Sequence, residues 1–321
     1  MLRNKPRKSF KPEEIPIVCL MGTTATGKTD AAAELFEVVD SEIISVDSSL
    51  VYRGMNIGSA KPDRQFLERY PHHCVDIREP NDTYSVADFY SDAFALIQSI
   101  TEKGKLPILV GGTNFYFSAL EFGLTNLPRA NEELREKISS EAKIYGWQAM
   151  HDRLKVMDSK RAVQIDPNDA QRIQRALEIV IESGTSVDQQ NDDRKPALAN
   201  PMIKIALAFS DRSYLHERIE TRFDLMLEQG LQSEVEGLLQ SGVDPDCSAM
   251  KMIGYRQMLE FLHNNITYDE MRSKGIAATR QLAKRQLTWL RQQSNVVWWV
   301  DFGLKQKKFD KLIEYVNQIV I

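Results

Sequence analysis

The sequence predicts an α/β fold, a parallel sheet covered by helices with an all-helical domain inserted into it, and three observations carry that prediction. Apolar runs of strand length alternate with helical patterns in the first part of the chain. From about residue 131 the texture changes to long amphipathic helices, and near residue 203 the strand pattern returns. Strands alternating with helices imply parallel βαβ units with both sheet faces covered.

The elements follow in order. Residues 15–21 are a short apolar run ending in a glycine loop, and 30–38 are alanine-rich and helical. Residues 42–47 form a second strand, and 106–110 a third, stopped by Gly111-Gly112. The clearest helices of the middle part are 131–145 and 169–183, joined by polar turns such as Asp166-Pro167-Asn168. The polar stretch 185–201 reads as a linker, after which 203–209 and 296–300 resume the strand pattern. The expected organisation is a discontinuous core of residues 15–125 and 202–303, an inserted domain at 126–201, and a flexible basic tail at 1–14. In open parallel sheets ligands gather outside the carboxyl ends of the strands. That rule places residues 22–29, Asp47 and Thr113 at one cleft.

Composition sets outer bounds. The chain has 321 residues, 42% hydrophobic and 27% charged, enough for a sizeable core in one or two domains. No apolar run approaches the roughly 18 residues of a membrane helix. The leader (Arg3, Lys5, Arg7, Lys8, Lys11) has no apolar segment behind it, unlike a secretory signal. Cys19, Cys74 and Cys247 lie far apart, which argues for a cytoplasmic protein without a zinc site or disulfide framework. Net charge is −4, yet residues 271–300 contain no acid and six bases: Arg272, Lys274, Arg280, Lys284, Arg285 and Arg291. Such a run is either a solvated helix face or a polyanion footprint.

The strongest motif is Gly22-Thr23-Thr24-Ala25-Thr26-Gly27-Lys28-Thr29, a full G-x-x-x-x-G-K-[ST] between a strand and a helix. Glycines let backbone N–H groups turn toward phosphate oxygens, the following helix presents its positive end, and Lys28 adds a charge. Thr29 offers a hydroxyl to Mg²⁺. The core is therefore expected to be P-loop NTPase-like. Asp47 ends the run Ile43-Ile44-Ser45-Val46. It can be a turn or cap residue, a metal-binding aspartate after a hydrophobic strand, or a general base beside the phosphates, and the pattern leaves these open. In the helix expected at 213–229, opened by a Ser213 cap, Arg222 shares a stripe with Leu215, Ile219 and Met226. A half-buried guanidinium normally has an anionic partner, and a phosphate would serve. Arg218 flanks the same face. Arg172 and Arg175 project beside the apolar stripe Ile173, Leu177 and Val180, while His72-His73 and Trp298-Trp299 read as structural.

Together these segments resemble the bacterial tRNA dimethylallyltransferases. The resemblance is carried by the P-loop, Ile44 to Met55 (ISVDSSLVYRGM), Ile57 to Pro62 (IGSAKP), Leu109 to Thr113 (LVGGT), Asn168-Asp169 through Glu178, His216 through Phe223, Ile253 to Met258 (IGYRQM), and Thr279 to Arg291 (TRQLAKRQLTWLR). Thr23 and Thr26 depart from the family's usual Pro and Ser. The resemblance implies transfer of a dimethylallyl group from dimethylallyl diphosphate to N6 of adenosine 37 in tRNA, with Mg²⁺ as cofactor and no obligate protein partner. It implies that Asp47 accepts the proton, that Lys28, Thr24 and Arg222 hold the departing diphosphate, and that Thr29 binds Mg²⁺. It further implies tRNA contacts at Asp47, Ser48, Ser49, Leu50, Thr113 and Arg135; at Gln171, Arg172, Ile173, Gln174 and Arg175; at Lys251, Met252, Ile253, Gly254, Tyr255 and Arg256; and at Arg280, Gln281, Leu282, Ala283, Lys284, Arg285, Gln286 and Leu287. The alternative is a P-loop kinase of a small metabolite or nucleoside, which leaves the basic run unexplained. A GTPase-like switch would need an Asn-Lys-x-Asp motif, and the sequence has none.

Overall fold

The computed structural model describes residues 11–124, 128, 131–184, 198–300 and 307–320. The chain divides into two compact units, Met1–Glu121 with Leu198–Ile321, and Phe122–Ala197. The basic tail up to residue 10 and most of the expected linker lie outside the described residues.

The first unit is built on a parallel six-stranded sheet in the order β3-β2-β4-β1-β5-β6. The strands are β1 (Ile17–Gly22), β2 (Ser41–Val46), β3 (His72–His73), β4 (Leu106–Gly111), β5 (Met202–Ala208) and β6 (Val296–Val300). Every residue of β1 and β4 is buried, as expected for central strands covered on both faces. Alternate side chains feed two cores, because successive strand residues point to opposite faces. Ile17, Cys19 and Met21 join one core with Phe89, Phe223 and Met271; Val18 and Leu20 join the other with Ala31, Leu35 and Val316. The first of these cores is covered by α3 (Val86–Glu102), α4 (Asn114–Phe122), α8 (Arg212–Glu228), α9 (Leu231–Gln240), α10 (Tyr255–Leu262) and α11 (Tyr268–Arg291). Helix α1 (Lys28–Val38) lies on the opposite face, and the short α2 (Arg64–Arg69) precedes β3.

Four details differ from the sequence reading. His72 and His73 pair with Ile43 and Ile44 as an added edge strand, and His73 Nε2 lies 2.9 Å from Glu42 Oε2. Strand β2 stops at Val46, so Asp47 sits just beyond the strand end. Helix α8 is capped by Asp211, which accepts the Ser213 N–H at 2.7 Å; Ser213 is inside the helix because a carboxylate two residues earlier outcompetes its hydroxyl. A further helix, α12 (Lys307–Val320), lies past the last expected element and buries Leu312 and Val316 in the α1 core. Trp299 of β6 packs toward Tyr315 of this helix, with ring centroids 5.9 Å apart.

Helices α8 and α11 touch where Gly275 faces Phe223. A Cβ at Gly275 would lie 2.1 Å from Phe223 Cζ, and that ring is 3% exposed. Alanine raises helix propensity by about 1 kcal/mol over glycine, but overpacking costs about 1–3 kcal/mol. The Gly275→Ala protein should therefore unfold at lower urea; an unchanged or higher midpoint would mean the helices separate freely.

The second unit consists of α5 (Glu132–Met157), α6 (Ser159–Val163) and α7 (Ala170–Ser183). The helix expected to end at residue 145 breaks at Gly146 (φ 82°) and then continues to Met157. Ile138, Met150, Leu154, Ile165, Ile173 and Leu177 form its core. Glu178 is fully buried there, yet accepts from Arg135 Nε at 2.9 Å and Arg175 Nη1 at 3.1 Å. A buried carboxylate needs such partners.

Candidate active site

The loops after the carboxyl ends of β1, β2 and β4 converge on one cleft, where ligands of open parallel sheets gather. After β1 the P-loop turns through Ala25 (φ 64°) and Gly27 (φ 83°) into α1. Positive φ at Gly27 costs glycine nothing, which is why the motif fixes it there. The loop is braced from within: Thr26 Oγ1 donates to the Thr23 carbonyl at 2.8 Å, and both threonines are 2% exposed. Thr23 and Thr26, the two departures from the family pattern, therefore offer a ligand their backbone only, since their side chains serve the loop itself.

Lys28 Nζ donates to the Thr23 carbonyl at 2.6 Å. Burial lowers its pKa from 10.5 to about 8, against the pull of Asp47 and with a smaller push from Arg222. The sign follows. Between about pH 8 and 10.5 the unfolded chain holds this proton more firmly than the native one, so raising pH across that window favours the fold. An incoming diphosphate does the reverse and restores the proton. Pyrophosphate binding near pH 8.5 should thus be accompanied by proton uptake, read by calorimetry in buffers of different ionisation enthalpy. No uptake would place the ammonium elsewhere.

Arg222 projects from α8 toward the same loop. Its Nη1 lies 3.4 Å from Thr24 Oγ1 and its Nη2 3.4 Å from the Ala60 carbonyl. Both contacts are long. Burial lowers its pKa while Asp47 opposes that shift and Arg218 adds to it. Arg218 itself donates to the Ala25 carbonyl at 2.8 Å, with its guanidinium over Phe209 and Tyr214. Asp47 Oδ1 accepts from Ser49 N at 2.9 Å and Ser49 Oγ at 2.6 Å. Thr113 accepts the Ser48 N–H at 3.0 Å, tying the loop after β2 to the loop after β4.

Beside these groups opens a cavity of about 520 Å³, a size suited to small-molecule ligands. Thr24, Lys28, Thr29, Asp47 and Arg222 share it with Ser48, Ser49, Leu50, Thr113 and Met252–Tyr255, and with Leu282, Arg285 and Gln286 of α11. Exposed Phe115 also lines it, although an aromatic in a helical pattern ordinarily signals core.

Several expected RNA-facing residues are placed otherwise. Ile173, Tyr255 and Ala283 are buried, because each belongs to the apolar stripe of its helix. Tyr255 donates its hydroxyl to Glu234, which also accepts N–H bonds from Asn56, Ile57 and Gly58. Arg272 and Arg280 of the basic run pair with Glu220 and Asp224 of α8, so the acid-free segment is partly neutralised by a neighbour. Arg135 and Arg175 serve Glu178. Gln171, Arg172, Lys251, Arg256, Gln281, Lys284 and Arg285 are exposed, while Gln174 and Leu287 are partly so.

The family model described as IPP transferase matches residues 50–293. The chain belongs to the IPP transferase family. It is a prenyltransferase with a P-loop NTPase-like fold. The tRNA dimethylallyltransferase of Thiobacillus denitrificans is 50% identical over 283 residues, covering 88% of this chain and 90% of the relative. That of Methylobacillus flagellatus is 49% identical over 279 residues, with coverages of 86% and 89%. The crystal structure of a Bacillus halodurans tRNA isopentenylpyrophosphate transferase superposes with TM-score 0.69 at 36% identity, over 95% of this chain and 97% of that one. The family match begins after the P-loop and Asp47.

Proposed function

We propose that this prenyltransferase moves a dimethylallyl group from dimethylallyl diphosphate to N6 of adenosine 37 in tRNA. The reading is carried by one observation: a phosphate-binding loop, two partly buried cations and a carboxylate meet in a single cavity lined in part by the basic helix α11. Lys28 and Arg222 hold the diphosphate, with the Thr24 hydroxyl beside them. As the allylic C–O bond breaks, negative charge gathers on the leaving diphosphate, and fixed cations stabilise that charge in the transition state. The new bond joins N6 to the allylic carbon. Asp47 takes the amine proton as it forms, using the carboxylate oxygen that Ser49 does not occupy. The adenine must leave its stack to enter such a cavity.

Thr29 suits a Mg²⁺ ion. It lies in the first turn of α1 and lines the cavity, and no cluster of three acidic or other metal-ligating side chains stands nearby among the described residues. One hydroxyl fits an ion whose remaining ligands are phosphate oxygens and water. Such an ion would neutralise leaving-group charge.

Among the described residues no helix is long and apolar enough to cross a membrane; we place the enzyme in the cytoplasm with its tRNA. The exposed Lys284 and Arg285 of α11 are assigned to RNA phosphates. Lys284→Ala should weaken tRNA binding and reduce the salt slope by about one; an unchanged slope would remove this helix from the RNA surface. The choice of donor tests the reading against a kinase. Dimethylallyl diphosphate should protect the P-loop from proteolysis more strongly than ATP, whereas phosphoryl transfer from ATP to a small acceptor would overturn it.

A further inference from the structure

Glu234, in the first turn of α9, does not itself line the cavity, yet it holds two segments that do. Its Oε2 accepts the N–H groups of Asn56 and Ile57 at 2.8 and 2.7 Å. Its Oε1 accepts the Gly58 N–H at 3.1 Å and the Tyr255 hydroxyl at 2.7 Å. A carboxylate offers about four acceptor sites, and here four donors occupy them. Successive amides aimed at one side chain fix the peptide planes of residues 56–58, and the rest of the turn hangs from them. The Asn56 carbonyl accepts the Lys61 N–H and the Ile57 carbonyl the Ala60 N–H, both at 2.9 Å. Those bonds hold Ala60 at φ 52°, a left-handed conformation that alanine keeps only where its surroundings impose it. The far end is anchored separately, by Lys61 Nζ on the Tyr52 carbonyl at 2.7 Å. Tyr255 closes the turn from the other side, since a Cβ on Gly58 would lie 2.6 Å from its Cζ.

The structure assigns Glu234 as a positioning residue for the diphosphate site: it sets the turn 56–60 so that the Ala60 carbonyl orients the Arg222 guanidinium. The assignment rests on the role proposed above for Arg222 in holding the diphosphate. Arg222 Nη2 reaches the Ala60 carbonyl while Nη1 reaches Thr24 of the P-loop. A planar guanidinium held at one edge presents its other donors in a fixed direction. Without that carbonyl the charge remains but the side chain spreads over several rotamers, and ordering it again weakens binding.

The test is a double-variant cycle on the full chain. Inorganic pyrophosphate is titrated calorimetrically, with Mg²⁺ present, into the wild type, Glu234→Ala, Arg222→Gln and the double variant. Glu234→Ala should weaken pyrophosphate binding roughly tenfold when Arg222 is present and less than about twofold when it is replaced, as expected of a residue that acts through another. Urea midpoints are measured beside it. A merely structural residue would lower the midpoint and weaken binding by the same factor in both backgrounds. Glu234→Gln keeps the side chain's size but turns an amide nitrogen toward two of the four donors. It should repeat the pattern with a smaller factor, about threefold, so a folding defect in the alanine variant does not decide the matter. Glu236→Gln, on the same helix, should bind pyrophosphate as the wild type does; weakening there would trace the effect to the charge of α9 and overturn the inference. Equal factors in both backgrounds, or no effect of Glu234→Ala with Arg222 present, also overturn it while leaving the role of Arg222 standing. If Arg222→Gln alone binds pyrophosphate as tightly as the wild type, the role of Arg222 falls first, and this inference falls with it.

Discussion

Asp47→Asn lowers the rate of prenyl transfer by roughly 10²–10⁴-fold, the usual loss when a general base is removed, and leaves tRNA binding nearly intact. Asparagine keeps the shape and still accepts the Ser49 N–H, so the loop should hold. The electrostatic consequence is specific. Asp47 favours the charged forms of Lys28 and Arg222, and it also offsets their attraction for an anion. Removing its charge should leave pyrophosphate affinity equal or higher while turnover collapses. A metal-binding aspartate would behave oppositely, with weaker pyrophosphate binding and a raised Mg²⁺ requirement. Single-turnover kinetics beside pyrophosphate titration separates the two roles.

Arg222→Gln should cost roughly 10²–10³-fold in turnover, the scale seen when a fixed stabiliser of developing negative charge is lost. Its donor affinity should fall as well. The residue forms no ion pair with a described residue, and its two bonds, at 3.4 Å, are long. A half-buried guanidinium has lost part of its hydration and gained little in return, so a diphosphate is the partner that completes it. Arg222→Lys should recover only part of the loss, because a point charge cannot reproduce the two-pronged contact. Full activity in either variant would leave Lys28 and Thr24 as the only diphosphate holders.

What could be read from the sequence was local. The P-loop needs consecutive residues with particular backbone freedoms, so Gly22 to Thr29 announced itself, and a hydrophobic run ending in an acid placed Asp47 at a strand end. Arg222 was legible because a charge in an apolar helical stripe breaks the pattern. The basic run was legible only as a count of charges. Its partners Glu220 and Asp224 lie on another helix, 48 to 60 residues earlier, and no window along the chain shows that Arg272 and Arg280 are already paired. Glu178 hid in the same way: its neighbours in sequence do not reveal that Arg135, 43 residues away, is its counterion. Strand β3 escaped because two residues carry no periodicity. Gln286 was placed among RNA contacts by resemblance, and only the fold shows its amide turned inward to Thr24 and Gly112.

In the proposed reaction the P-loop cavity transfers a five-carbon group to adenosine 37 of tRNA. Purified protein with Mg²⁺, radiolabelled dimethylallyl diphosphate and tRNA carrying adenosine 37 should yield label on that nucleoside, with pyrophosphate released in equal amount. The same tRNA with guanosine at position 37 should take up none. Folded protein that leaves adenosine 37 unlabelled, or that labels both tRNAs alike, would contradict the account.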